Sequence, residues 1–124
     1  MTIAEVGRRF DLTPDTLRYY ERVGLLPNVE RSRGGIRCYS EDDCRWVEYI
    51  KCMRSAGVSV ETLVEYVALF RQGKETIAAR KALLLGQREQ IVARIAELNK
   101  VLERLDWKLD GYEERMLQYE EKLK

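Results

Sequence analysis

Large apolar residues recur every seventh position along the second half of the chain: Ile77, Leu84, Ile91, Leu98, Leu105, Tyr112 and Tyr119. Four residues after each runs a second series, Lys81, Arg88, Ile95, Leu102, Leu109, Met116 and Leu123. This is the d/a pattern of a coiled coil, lapsing only at Lys81 and Arg88. A stripe that long must be covered, and the rest of the 124-residue chain offers no helix of matching length. The expected partner is a second copy, meeting along Leu84, Ile91, Ile95, Leu98, Leu102, Leu105 and Leu109. A helix packed back on its own chain is the alternative. Gly111 is a point where the coil can break, leaving Tyr112–Lys124 as a short terminal helix. Residues 73–124 are therefore expected to form a dimerisation coil, and residues 1–72 a separate small domain.

Composition narrows what that domain can do. Histidine is absent, which removes the commonest general base and metal ligand. Three widely spaced cysteines are no disulfide framework. No apolar run approaches a membrane span and no charged-then-apolar leader opens the chain, so a cytoplasmic protein is expected. With no phosphate-cradling glycine loop and no nucleophile–base pair, an enzyme is not expected, nor is a cofactor or a metal. Lys and Arg total 22 against 21 Asp and Glu, so nucleic-acid binding must rest on local clusters.

Such clusters occur in residues 1–72. Ile3, Val6 and Phe10 have helical spacing behind a Thr2 cap. After the short connection Asp11-Leu12, Thr13 can cap a second helix, with Pro14 at its first position and Asp15 at the positive end of its dipole. Gly24 stops that helix and Pro27 prevents its resumption. It shows no large apolar stripe and carries Arg18 beside Tyr19 and Tyr20, side chains suited to phosphate, sugar and guanine edges. Two short helices so closely joined form a helix-turn-helix pattern. A generic helical hairpin fits the spacing equally well.

Arg31-Ser32-Arg33-Gly34-Gly35 followed by Ile36-Arg37-Cys38-Tyr39 suggests a hairpin with a Gly-Gly turn, weak in its first strand. Its three arginines against Glu30 suit a wing that grips the DNA backbone. Ser40 opens a third helix with Asp43 at the capping-box position and an expected apolar face of Trp46, Tyr49, Ile50 and Met53. After Gly57, Ser59 caps a fourth helix with Val60, Leu63, Val64, Val67 and Phe70 on one side. The fold class is mainly α: a winged helix-turn-helix followed by a long coiled-coil helix.

Thr16-Leu17-Arg18-Tyr19-Tyr20-Glu21 with Gly24-Leu25-Leu26-Pro27, then Gly35-Ile36-Arg37-Cys38-Tyr39-Ser40 with Asp43, then Ile50-Lys51-Cys52-Met53-Arg54 with Gly57, resemble the MerR family of transcriptional regulators over residues 2–72. The resemblance implies a winged helix-turn-helix dimerised by an antiparallel coil. It also implies DNA contacts from Arg18, Tyr19, Tyr20, Arg37, Tyr39 and Arg54, which Thr13, Thr16 and Arg33 join as candidates. The implied partner is double-stranded promoter DNA with an over-long spacer, bent and undertwisted so that RNA polymerase can engage both promoter elements.

The cysteines bear on what such a regulator senses. None lies beyond Cys52, where the family's metal- and cluster-sensing branches carry theirs, and there is no length for a separate drug-binding domain. Cys38 falls at a variable wing position. Cys44 sits beside Asp42 and Asp43, acids expected to raise its pKa and dull it. Cys52 lies between Lys51 and Arg54, cations that favour thiolate, and Ile50–Arg54 resembles the aldehyde- and electrophile-responsive branch. Cys52 is thus the candidate thiol sensor of stress, with inert packing as its alternative. Two rival functions stand beside this reading: a MerR-type regulator with a non-thiol effector, and a coiled-coil adaptor without specific DNA binding.

Overall fold

The computed structural model describes residues 1–27 and 29–123. Asn28, the first residue of the predicted wing segment, and Lys124, the last of the predicted terminal helix, lie outside the described residues. In chain order the elements are α1 (Ile3–Phe10), α2 (Pro14–Arg22), β1 (Glu30–Arg31), β2 (Arg37–Cys38), α3 (Glu41–Ser55) and α4 (Val60–Gln72). A single 3-10 turn (Lys74–Thr76) then leads into α5 (Ile77–Leu109) and α6 (Tyr112–Lys122). They fall into two compact units, Met1–Gln87 and Arg88 onward.

Each short helix of the first unit starts on a hydroxyl. Thr2, Thr13, Ser40 and Ser59 accept the amides of Glu5 (3.2 Å), Thr16 (3.1 Å), Asp43 (3.1 Å) and Thr62 (3.2 Å). At α1 and α3 the third-position acid reaches back to the cap amide, completing a capping box. Such caps are worth about 1 kcal/mol each, which matters in helices this short. The turn from α1 to α2 closes when Asp11 enters the left-handed region (φ 54°) and the Leu12 amide bonds the Gly7 carbonyl (2.9 Å).

The core of this unit is built from Val6, Leu17, Tyr20, Leu25 and Leu26 of the helix-turn-helix, Tyr39 at the base of the wing, and residues of α3 and α4. Two expectations are corrected here. The buried positions of α3 are the capping acid Asp43 and the apolar Cys44, Val47 and Ile50, whereas Trp46, Tyr49 and Met53 are only partly covered. The two aromatics face α4 instead, and Trp46 packs on Tyr66 and Phe70 at ring-centre distances of 6.0 and 5.0 Å. In α2, Leu17 and Tyr20 are buried, so that helix does carry an apolar side.

Residues at the start of α5 belong to the first unit. The buried Thr76 hydroxyl donates to the Leu69 carbonyl (2.6 Å), Arg80 Nε donates to that hydroxyl (3.1 Å), and the Arg80 guanidinium lies 5.2 Å above the Phe70 ring. From there α5 runs unbroken for 33 residues, about 50 Å. Ile77, Leu84, Ile95, Leu98, Leu102, Leu105 and Leu109 are all exposed along it, and Ile91 is half-buried. In the second unit Gly111 takes a left-handed conformation (φ 67°) between α5 and α6. Arg115 of α6 donates to the Trp107 and Asp110 carbonyls (3.3 and 2.7 Å), satisfying orphan groups at the end of α5.

Candidate DNA interface

The burial of Leu17 and Tyr20 fixes which side of α2 faces outward. Thr13, Pro14, Asp15, Arg18, Tyr19 and Arg22 are exposed. Arg18 pairs with Asp15 at 2.8 Å, both side chains open to solvent, an interaction worth about 0–1 kcal/mol that a phosphate or guanine edge can displace. The Arg22 guanidinium lies 5.6 Å above the Tyr19 ring. The Thr13 and Thr16 hydroxyls are 2.9 Å apart at the helix N-terminus, where the dipole favours an anion.

The wing stands beside this helix. β1 and β2 pair antiparallel with Arg31 opposite Arg37 and Glu30 opposite Cys38. The Ser32 amide bonds the Ile36 carbonyl (2.7 Å) to close the turn, and Arg33 projects there, exposed and without an ion-pair partner among the described residues. Alternation along β2 buries Tyr39 and leaves Cys38 exposed. The backbone of Tyr39 pairs in both directions with Met1, at 2.7 and 2.8 Å.

Six of the predicted contact residues fall into two electrostatic groups, Arg18, Arg37 and Tyr39 in one and Tyr19, Tyr20 and Arg54 in the other. Burial pushes the Tyr39 hydroxyl pKa up, Glu21 adds to this, and Arg37 and Arg18 pull it down. Burial likewise raises Tyr20, against the Arg54 charge. Tyr20 is 8% exposed and Tyr39 2%, so each belongs to the core through its ring. Arg54 donates to the Val58 carbonyl (2.7 Å) in the turn after α3.

Sequence reasoning missed Glu21. Its Oε2 accepts from Arg37 Nε, and its Oε1 from Arg31 Nη2 at 3.4 Å, tying both wing strands to α2. The available signal was the hairpin register, which sets Arg31 opposite Arg37 and so offers two cations to one acid of α2.

The cysteines separate by environment. Cys44 is buried, and desolvation is the main cause of its raised pKa, with Glu41 and Asp43 adding to it and Arg9 opposing. The neighbouring acids are thus the smaller cause. Cys52 is exposed on α3, as is Cys38 on the wing. One turn before Cys52, Tyr49 helps line a recess of about 200 Å³ with Arg45, Trp46 and Tyr66. Among the described residues no cluster of three or more His, Cys, Asp or Glu is placed to hold a metal ion, and no helix is long and apolar enough to cross a membrane.

The model for MerR HTH family regulatory proteins matches residues 1–69, and a second, MerR, DNA binding, matches residues 44–108. This chain belongs to the MerR family. It is a transcriptional regulator with a DNA-binding domain. The HTH-type transcriptional regulator AdhR of Bacillus subtilis is 53% identical over 92 residues, 74% of this chain and 66% of that protein. The regulator ZntR of Escherichia coli K12 is 32% identical over 80% of this chain and 71% of its own length. Among solved structures, HiNmlR, a MerR family regulator lacking the sensor domain and bound to promoter DNA, superposes with a TM-score of 0.86 at 30% identity, covering 94% of this chain and 92% of that one.

Proposed function

We propose that this regulator works as a homodimer on promoter DNA in the cytoplasm. Residues 1–72 read the two half-sites and residues 73–124 hold the copies together. The observation that carries the dimer is the exposed seam of α5, an apolar stripe far longer than a monomeric surface normally leaves uncovered. Arg18, Tyr19 and the Thr13–Thr16 turn meet DNA from α2, Arg33 and Arg37 from the wing, and Arg54 and Tyr20 at the α2–α3 junction, while Tyr39, its hydroxyl buried, supports the wing from the core and does not touch DNA. Two such heads on a two-fold axis suit a near-palindromic operator, and bending and undertwisting an over-long spacer lets RNA polymerase engage both promoter elements.

The effector we assign is a thiol-reactive aldehyde or related electrophile acting at Cys52. The exposed Cys52 thiol on α3 supports this, as does the 53% identity to AdhR over 92 residues. Modification there adds bulk to the helix that backs the wing and α2, and so changes operator shape without parting the dimer. The test is transcription in vitro from the promoter of the protein's own gene, with wild type and Cys52→Ser, with and without formaldehyde or methylglyoxal. Activation by wild type that Cys52→Ser loses is the expected result. An identical response from both proteins removes Cys52 and leaves a regulator with another effector. Absence of specific DNA binding in a genome-wide selection would favour the coiled-coil adaptor.

A further inference from the structure

Glu21 is an acid set inside a cationic face. Its carboxylate holds Arg37 through Oε2 and Arg31 through Oε1 (3.4 Å), while Arg31 also donates from Nη1 to the Gly35 carbonyl (3.1 Å) across the wing turn. The side chains of Glu21 and Arg37 are 23% and 24% exposed, in contrast to the open Arg18–Asp15 pair. A screened, multidentate pair of this kind constrains geometry in a way that an exposed one does not. The wing needs such a constraint. Each of its strands is two residues long, and an isolated two-stranded ribbon is marginal in water.

We propose that Glu21 is a positioning residue that locks the wing to the recognition helix at a fixed angle, so that both meet DNA as one rigid surface. This rests on the reading of α2 and the wing as the DNA interface. The sign of the effect separates positioning from simple charge. An acid among phosphate-binding side chains repels DNA, so on charge alone its removal tightens binding to any sequence. Positioning gives the opposite result on the operator, because a wing free to swing must be ordered on binding. Random DNA makes no such demand on the angle.

The experiment uses the full chain and an operator selected from random duplexes by the wild-type protein. Affinities for that operator and for a random duplex of equal length are measured for wild type, Glu21→Gln, Arg31→Lys, their double variant and Arg18→Ala. Thermal melts run in parallel, with hydroxyl-radical footprints on the operator. Glu21→Gln is expected to bind the operator tenfold or more weakly, to bind random DNA as well as wild type or better, and to lose protection at the flanks touched by the wing while keeping it at the centre. Arg31→Lys keeps the charge but cannot reach both Glu21 and Gly35, so it should show a smaller loss of the same kind even if Glu21→Gln folds poorly. The double variant should lose less than the two losses combined. Operator affinity retained by Glu21→Gln while Arg18→Ala loses it overturns the positioning role alone. Affinity retained by both overturns the interface reading and the positioning role with it. Fully additive losses assign Glu21 and Arg31 to separate tasks and also overturn the proposal.

Discussion

The same substitution at two glycines should move stability in opposite directions. A Cβ built on Gly7 lies 2.6 Å from the Leu12 carbonyl oxygen, while one on Gly86 meets nothing within 4 Å. Both residues sit inside helices, so replacement by Ala brings the same backbone gain of about 1 kcal/mol at either site. At Gly86, on the outer face of α5 away from the heptad seam, that gain stands alone. At Gly7 the clash is with backbone, and Leu12 cannot retreat without giving up its amide bond to the Gly7 carbonyl (2.9 Å). Overpacking of this kind costs about 1–3 kcal/mol, and the lost bond about 1 kcal/mol more. Subtracting the helical gain leaves Gly7→Ala destabilised by about 1–3 kcal/mol. In a chain of this size 1 kcal/mol moves Tm by about 3–5 °C, so Gly7→Ala should melt roughly 3–15 °C lower and Gly86→Ala about 3–5 °C higher. The assay is circular-dichroism melting at one fixed protein concentration, since association shifts Tm by mass action. A Gly7→Ala protein that melts at or above wild type would refute the close approach of α1 to the turn, and a Gly86→Ala protein that falls as far would refute the open site on α5.

The Tyr39 hydroxyl is buried with no hydrogen-bond partner among the described residues, so Tyr39→Phe should leave stability unchanged or raise it by about 1 kcal/mol in urea titrations; a loss of more than 1 kcal/mol would mean the hydroxyl is bonded in solution. Burial raises the pKa of Cys44, Tyr20, Tyr39 and Tyr49, so the folded state holds these protons more tightly than the unfolded chain. Their stabilising effect is complete below about pH 8.5 and is lost as pH climbs through the raised values, the thiol first and the phenols from about pH 10. Melts from pH 7.5 to 10.5 should show that decline beginning later in Cys44→Ala, and identical profiles would remove the thiol from the explanation. Leu98→Asp places a charge on the exposed seam and should convert the dimer to monomer in light scattering while the first unit keeps its helical signal. A dimer that persists would move the interface off α5.

Local chemistry made the element boundaries legible. Thr2, Thr13, Ser40 and Ser59 could be identified as caps because a cap depends on residues within one turn. Gly24, Gly57, Gly73 and Gly111 could be identified as stops because each adopts a positive φ that other residues enter at a cost. Depth was harder to read. Trp46 and Tyr49 look like core by size, yet the smaller Cys44 and Val47 are the buried ones, because α3 packs against α1 as well as against α4, which Trp46 and Tyr49 face. Tyr20 was legible as a contact residue but not as a core residue, since a phenol serves both ends of that range. Glu21 could not be placed without the hairpin register, which depends on the turn and not on any local preference.

These placements also explain how a chain with net charge +1 can present a cationic face. Several of its cations hold the scaffold. Lys51 donates to the Phe10 carbonyl at the end of α1, Arg71 to the Leu26 and Pro27 carbonyls after α2, and Arg54 to the Val58 carbonyl after α3. Each satisfies a backbone acceptor left over where a helix or its following turn ends. Arg31 and Arg37 are engaged by Glu21, which leaves Arg18, Arg22 and Arg33 as the more openly placed cations of α2 and the wing. With few free charges available for phosphate, affinity on the operator must come from holding those few at the correct spacing. On the proposed interface the clamps on α1, α2 and α3 and the wing joint all act on that spacing, so a change at an α3 residue outside the contact set, such as Cys52, can reach the DNA through Lys51 and Arg54 beside it.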